Sequence, residues 1–136
     1  MYESSVKIRV RYSETDQMGY VYYGNYAAYY EVARVESLRN LGFAYKELEM
    51  QGVMMPVLEN STKFHRPARY DELLTIKVKI VSRPAVRIIF HYEIYNEENK
   101  LINTGETILA FVNMHSGRPC RPPQVMQDLF DPYFNG

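Results

Sequence analysis

Apolar and polar residues alternate over residues 6–12, with Val6, Ile8 and Val10 on one side and Lys7, Arg9 and Arg11 on the other. A period of two sends neighbours to opposite faces of a strand, so this stretch is read as a half-buried β-strand. Residues 13–19 interrupt the alternation with turn-forming types. The period then lengthens. Tyr26, Tyr29 or Tyr30, Ala33, Ser37 and Leu41 recur every three or four positions, interspersed with Glu31, Arg34, Glu36 and Arg39. This predicts a helix of about 16 residues from Asn25 to Leu41, with Asn25 as N-cap and Gly42 as the stop. Ala27, Ala28, Val32 and Val35 widen its apolar stripe, which points to deep packing. A shorter helix is expected over Tyr45–Met50, ended by Gly52.

The remainder reads as strand. Residues 53–65 are extended, with Pro56 marking an edge or bulge. Residues 73–82 alternate Leu74, Ile76, Val78 and Ile80 against Thr75, Lys77 and Lys79. Residues 86–95 and 101–114 complete the set, joined by the polar turn 96–99, and residues 124–130 are read as a terminal helical turn. One strand, one long helix and four strands joined by short turns imply an antiparallel sheet that curls around the helix, an α+β arrangement.

With 136 residues the chain is one domain of ordinary size, residues 1–136. Sixteen basic residues against sixteen acidic ones leave no net field, which gives nucleic-acid binding little support. Cys120 is the one cysteine, and His65, His91 and His115 show no metal-ligand spacing, so no metal site and no cofactor are expected. The first residues lack the charge and apolar pattern of a signal peptide, and no apolar run is long enough for a membrane span. A cytoplasmic location is the expectation. Thirteen tyrosines and no tryptophan are unusual; tyrosine suits packed cores, interfaces and wet pockets alike.

The chemistry concentrates between Tyr12 and Tyr26. Asp16 lies in a turn after a strand, Gly19 permits tight or left-handed backbone, and Gly24 precedes the long helix. The first amides of a helix have no internal acceptors and carry partial positive charge, so they can polarise a carbonyl oxygen. A carboxylate a few residues upstream is then placed to attack that carbonyl or to activate water. The competing reading is a structural Asp-x-x-Gly turn. Glu14, two residues away, is a rival carboxylate that would face the other way if the strand continued.

Tyr12, Thr15, Asp16, Gly19, Val21, Asn25 and Tyr26, then Glu31 to Arg34, the stretch 66–74, Gly105, and the stretch 117–122, together resemble the 4-hydroxybenzoyl-CoA thioesterase family and its YbgC-like acyl-CoA thioesterase branch. The resemblance runs over nearly the whole chain. It implies a hotdog fold, homodimers pairing sheets edge to edge and often assembled as homotetramers, and active sites at the subunit interface. It maps the family's catalytic Asp onto Asp16 and its carbonyl-polarising amide onto Tyr23, with Gly24 as a second donor. One departure stands out: the YbgC-like branch commonly carries His where this chain has Tyr23, so no imidazole assists there.

The implied reaction is hydrolysis of an acyl-CoA thioester. Gly19 and Tyr22 are expected at the substrate, and Met18, Tyr20, Met54 and Met55 are further candidates for an aromatic or flexible aliphatic wall. Phosphates of CoA call for a basic rim, for which Lys63, Arg66, Arg69, Arg83 and Arg87 are candidates; in similar proteins the turn flanked by Arg83 and Arg87 lies near the nucleotide. Glu31 is read as an i,i+3 partner of Arg34 on a solvated helix face. The three histidines are read as satisfied or exposed sheet residues. Two alternatives remain: hydrolysis of acyl groups on acyl carrier protein, and a non-catalytic acyl-CoA-binding domain.

Overall fold

Period-two patterning forms strands as expected in a computed structural model that describes residues 1–134; the last two residues of the expected domain, 135 and 136, lie outside the described residues. Strand β1 (Tyr2–Arg9) leads through a 3-10 turn (Tyr12–Glu14) to helix α1 (Asn25–Leu41) and helix α2 (Tyr45–Met50). There follow β2 (Val53–Met54), β3 (Val57–Phe64), β4 (Leu73–Ile80), β5 (Arg87–Tyr95), β6 (Leu101–Ala110), β7 (Val112–Asn113) and helix α3 (Gln124–Phe134). Five strands form one antiparallel sheet in the order β1-β4-β5-β6-β3, while β2 and β7 pair separately. The terminal helical turn expected over residues 124–130 is a longer helix, held by Met126 and Phe130 in the core and by an edge-on contact of Tyr2 with Phe130.

Helix α1 lies on the inner face of the sheet, and the reason is its tyrosine stripe. Tyr26, Tyr29, Tyr30, Ala33, Ser37 and Leu38 are buried against Ile76, Val78, Phe90, Tyr92 and Leu109, the inward positions of their strands. Gly42 ends the helix in the left-handed conformation, φ 111°, and its amide bonds back to Leu38 and Arg39. Two local expectations are corrected. The N-cap is Gly24, and Asn25 is the first helical residue, its side-chain amide donating to Glu14 O at 2.8 Å rather than capping. Arg34 does not pair with Glu31 on a solvated face: it is 8% exposed and turned into the core beside Tyr92, while Glu31 stays exposed. The i,i+4 stripe Tyr26–Tyr30–Arg34 faces the sheet, and that outweighs the i,i+3 attraction of an exposed pair.

The flattest contact in the core is Tyr30 stacked on Tyr92, centroids 4.1 Å apart and planes 1° from parallel. The Tyr30 hydroxyl donates to Asn103 Oδ1. This is possible because β6 carries Gly105 beneath the ring: a Cβ there would overlap the Tyr30 hydroxyl and ring carbons. Gly105→Ala should therefore cost about 2–3 kcal/mol of stability, since neither a central strand nor a fully buried ring can yield cheaply. Urea unfolding of the two proteins checks this.

The outer edges differ. β1 carries α3 against its Tyr2 end. β3 carries nothing: every one of its residues except Thr62 is exposed, including Val57, Leu58 and Phe64.

Candidate active site

The site grows from the loop between β1 and α1. Asp16 closes this loop on itself: its backbone amide donates to Tyr20 O at 2.8 Å, and its Oδ1 accepts from the amides of Met18 at 2.9 Å and Tyr20 at 3.2 Å. Gly19 makes the reversal with φ 79°, a region that disfavours any side chain. Asp16 thus performs the turn chemistry of the structural reading with one oxygen. Its Oδ2 accepts no hydrogen bond among the described residues and remains available.

Glu14 faces elsewhere. Its carboxylate accepts from the Arg11 amide at 2.8 Å, from the Arg11 guanidinium and from Tyr29 O–H at 2.8 Å. Burial alone would raise the Glu14 carboxyl, but the Arg11 amide, the Tyr29 hydroxyl and the Arg11 guanidinium together hold it below the usual glutamate range. Tyr29 in turn is pushed up by burial and by the adjacent Glu14, so it stays a neutral donor. Glu14 is therefore a positioning residue, while Asp16 keeps one carboxylate oxygen without a hydrogen-bond partner among the described residues.

The return to the helix leaves donors unused. Tyr22 N donates to Glu14 O, Asn25 N to Tyr22 O and Tyr26 N to Tyr23 O. Between them, the amides of Tyr23 and Gly24 have no acceptor among the described residues. These are the two donors expected from the sequence. The loop is held against the sheet by Val21 N bonding to Ala68 O at 2.8 Å, and by the Arg69 guanidinium lying 5.2 Å over the Tyr20 ring.

Asp16 and Tyr23 line one cleft of about 300 Å³, together with Met18, Tyr20, Tyr26 and Phe64 and the Arg66–Pro67 turn. Burial pushes the Tyr26 hydroxyl up to about 12, so it too is neutral. His65 borders the cleft, and its Nε2 is engaged with Thr104 Oγ1 at 3.0 Å. Among the expected substrate residues, Arg66 is at the cleft and Gly19 shapes its loop. Tyr22 leans on Tyr23, ring centroids 4.7 Å apart, and over Gly24, outside the cleft lining. Met54 and Met55 lie away from the cleft, in and after β2. Arg87 opens β5 at the end remote from Phe64, and Arg83 is ion-paired with Asp131 of α3. Sequence reasoning missed Phe64 and Pro67 as cleft walls; nothing local marks residues about 50 positions from Asp16 as its neighbours. No cluster of three potential metal ligands occurs among the described residues.

Because Glu14 is held low, its contribution to stability is present in full above the ordinary glutamate value of 4.5 and is lost as pH falls through its lower folded value. Glu14→Gln should accordingly be less stable than the parent at pH 7, with a smaller gap at pH 3. Urea unfolding at both values measures it; an equal gap at the two pH values would exclude the ionised hub.

Comparison with known proteins agrees with this geometry. Residues 10–130 match the model of the thioesterase-like superfamily. The acyl-CoA thioester hydrolase YbgC of Escherichia coli O6:H1 is 34% identical over 117 residues, covering 86% of this chain and 87% of its own. Among solved structures, the DHNA-CoA thioesterase of Staphylococcus aureus superposes with a TM-score of 0.85 at 35% identity, covering 98% of this chain and 85% of its own. The Thermus thermophilus protein TT1821 superposes at 0.86 with 33% identity, covering 95% of both chains. A curved antiparallel sheet around one long helix is the hotdog fold, and the chain belongs to the thioesterase-like superfamily.

Proposed function

We propose that this single-domain chain hydrolyses acyl-CoA thioesters to the free carboxylic acid and CoA, working as a homodimer or homotetramer with Asp16 as catalytic carboxylate. One observation carries the reading: Asp16, with one oxygen anchored and the other open, shares a cleft with Tyr23, at the two-residue stretch whose amides have no acceptor. Those amides of Tyr23 and Gly24 suit the oxyanion that develops when a thioester carbonyl becomes tetrahedral. Asp16 Oδ2 then acts in one of two ways. It attacks the carbonyl carbon, expelling the CoA thiolate and leaving a mixed anhydride that water cleaves, or it takes a proton from a water that attacks directly. Solvent ¹⁸O found in the Asp16 carboxylate after a single turnover in labelled water identifies the anhydride route, with water opening the anhydride at the Asp16 carbonyl; trapping the acyl-enzyme with hydroxylamine tests the route in which water attacks the acyl carbon.

The cleft walls favour a compact or aromatic acyl group over a long chain, since Tyr20, Tyr23, Tyr26 and Phe64 surround about 300 Å³. Arg66 also borders a second depression with Arg69 and Lys100, but Glu72, Glu97 and Glu98 line it too, so Arg66 itself is the cation that the cleft mouth offers a CoA phosphate. Arg83 and Arg87 lie at the far end of their own sheet and serve CoA only across a subunit boundary. The open β3 edge, which runs into the cleft at Phe64, is the side on which a second copy would meet the site. A cytoplasmic location suits a lone free cysteine and a thiol product.

Asp16→Asn keeps an oxygen for the Met18 and Tyr20 amides but removes the charge. Hydrolysis should fall by at least about 10³-fold with circular dichroism unchanged. Tyr23→Phe, which keeps the backbone donor, should leave kcat largely intact. Both are read as thiol release over a panel of aromatic, short and long acyl-CoA thioesters. Wild-type turnover by Asp16→Asn would remove this residue from the mechanism, and turnover on acyl carrier protein thioesters alone would move the substrate class. Tight binding without thiol release would make the chain a binding domain.

A further inference from the structure

The turn between β3 and β4 forms a fixed ledge beside the Asp16 loop. Asp71 N donates to Val10 O at 3.0 Å and Val10 N to Glu72 O at 2.9 Å, which ties the turn to the end of β1. Within it, Glu72 N donates to Arg69 O at 3.2 Å, and Glu72 Oε1 accepts from the Arg69 amide at 2.7 Å. The backbone of Arg69 is thereby held while its side chain stands exposed. That guanidinium makes no ion pair or side-chain hydrogen bond among the described residues; it lies 5.2 Å over the Tyr20 ring.

Tyr20 is the residue that closes the Asp16 turn. Its carbonyl accepts from Asp16 N at 2.8 Å and its amide donates to Asp16 Oδ1 at 3.2 Å, so a swing of Tyr20 moves the carboxylate. Gln17, Met18 and Gly19 between them are exposed. The loop is therefore fastened at Tyr20, which faces Arg69 in an isolated antiparallel bridge, and at Val21, whose amide bonds to Ala68 O. We propose that Arg69 is a positioning residue for Asp16: by holding the Tyr20 ring it fixes the carboxylate beside the Tyr23 and Gly24 amides, rather than binding a phosphate of CoA. The proposal rests on the thioesterase reading above and takes Arg69 out of the basic rim expected from the sequence.

Two observations decide between these roles. Arg66 borders the Asp16 cleft and Arg69 does not, so of the two it is Arg66 that a ligand leaving the cleft meets. The depression that Arg69 does border is shared with Glu72, Glu97 and Glu98, which cancel its attraction for a phosphate. An exposed cation over a tyrosine ring biases an equilibrium by roughly two- to fivefold. That is little for the fold as a whole. It matters for a loop whose displacement carries the reacting oxygen away from its carbonyl, because rate falls steeply with misplacement. Glu14 holds the end of the loop next to the helix, and Arg69 holds the end that carries Asp16.

The test compares Arg69→Ala, Arg69→Lys and Arg66→Ala in the full chain. Arg69→Ala should lower kcat about fivefold, with KM and its dependence on ionic strength unchanged. Arg69→Lys should recover part of the loss, because an ammonium also sits on the ring. Arg66→Ala should instead raise KM and flatten its salt dependence. In a Tyr20→Leu background, Arg69→Ala should cost nothing further in kcat. Amide hydrogen exchange needs no substrate. The Met18 and Tyr20 amides, both held by Asp16 Oδ1, should exchange about fivefold faster in Arg69→Ala, while the Val10 and Asp71 amides of the ledge keep their rates. Unchanged exchange at Met18 and Tyr20 would overturn the proposal whatever the kinetics. A raised KM with a flattened salt dependence in Arg69→Ala would also overturn it and return Arg69 to the CoA rim. No thiol release by the unaltered chain would remove the thioesterase reading, with exchange still deciding whether Arg69 holds the loop.

Discussion

Everything at this site depends on one loop being bent so that its carboxylate and the start of the helix face the same space. Glu14 holds that bend. Its backbone oxygen accepts from Tyr22 N and from the Asn25 side chain, and its carboxylate accepts from Arg11 and from Tyr29, which projects from the second turn of α1. The acid that is nearly saturated with donors is thus what fixes the geometry, and the acid two residues later, bonded through one oxygen only, is left with chemical freedom. Two carboxylates of similar intrinsic acidity are separated into a strut and a reactive group by the number of donors each meets.

The same division governs the phenols. Burial keeps Tyr26 and Tyr29 neutral well above neutral pH, and Tyr23 brings a backbone donor rather than an imidazole. On the function proposed for this site, Asp16 Oδ2 carries the nucleophilic or proton-transfer role, and the Tyr23 and Gly24 amides supply stabilisation that needs no titration.

Much of this was legible in the chain because it is local. The limits of α1, Gly42 as its stop and the alternating strands follow from periods of 3.6 and two and from one left-handed residue. The closeness of Asp16 to the start of α1 was legible because turn, carboxylate and helix start adjoin in sequence. Arg34 was not. Its i,i+3 spacing from Glu31 is a local cue, but the buried Tyr26–Tyr30–Arg34 stripe sets where it points. Phe64 and Pro67 were not legible for the related reason that β3 reaches the Asp16 loop only through the sheet order, in which the strand after the helices pairs with β6 at the far side.

That sheet order also explains why an open strand is kept at the functional end of the molecule. A long exposed edge with apolar side chains invites association, and proteins usually blunt it. Here Glu59 and Lys63 stand exposed on the strand, and such charges discourage indiscriminate strand pairing without abolishing it. Placed at Phe64, the edge ends where the cleft begins. The groups proposed to break the thioester lie on one chain, fixed by short loop contacts. In the proposed homo-oligomer the far wall lies where two chains meet, so residues there can vary to suit a new acyl group without disturbing Asp16 or the amides beside it.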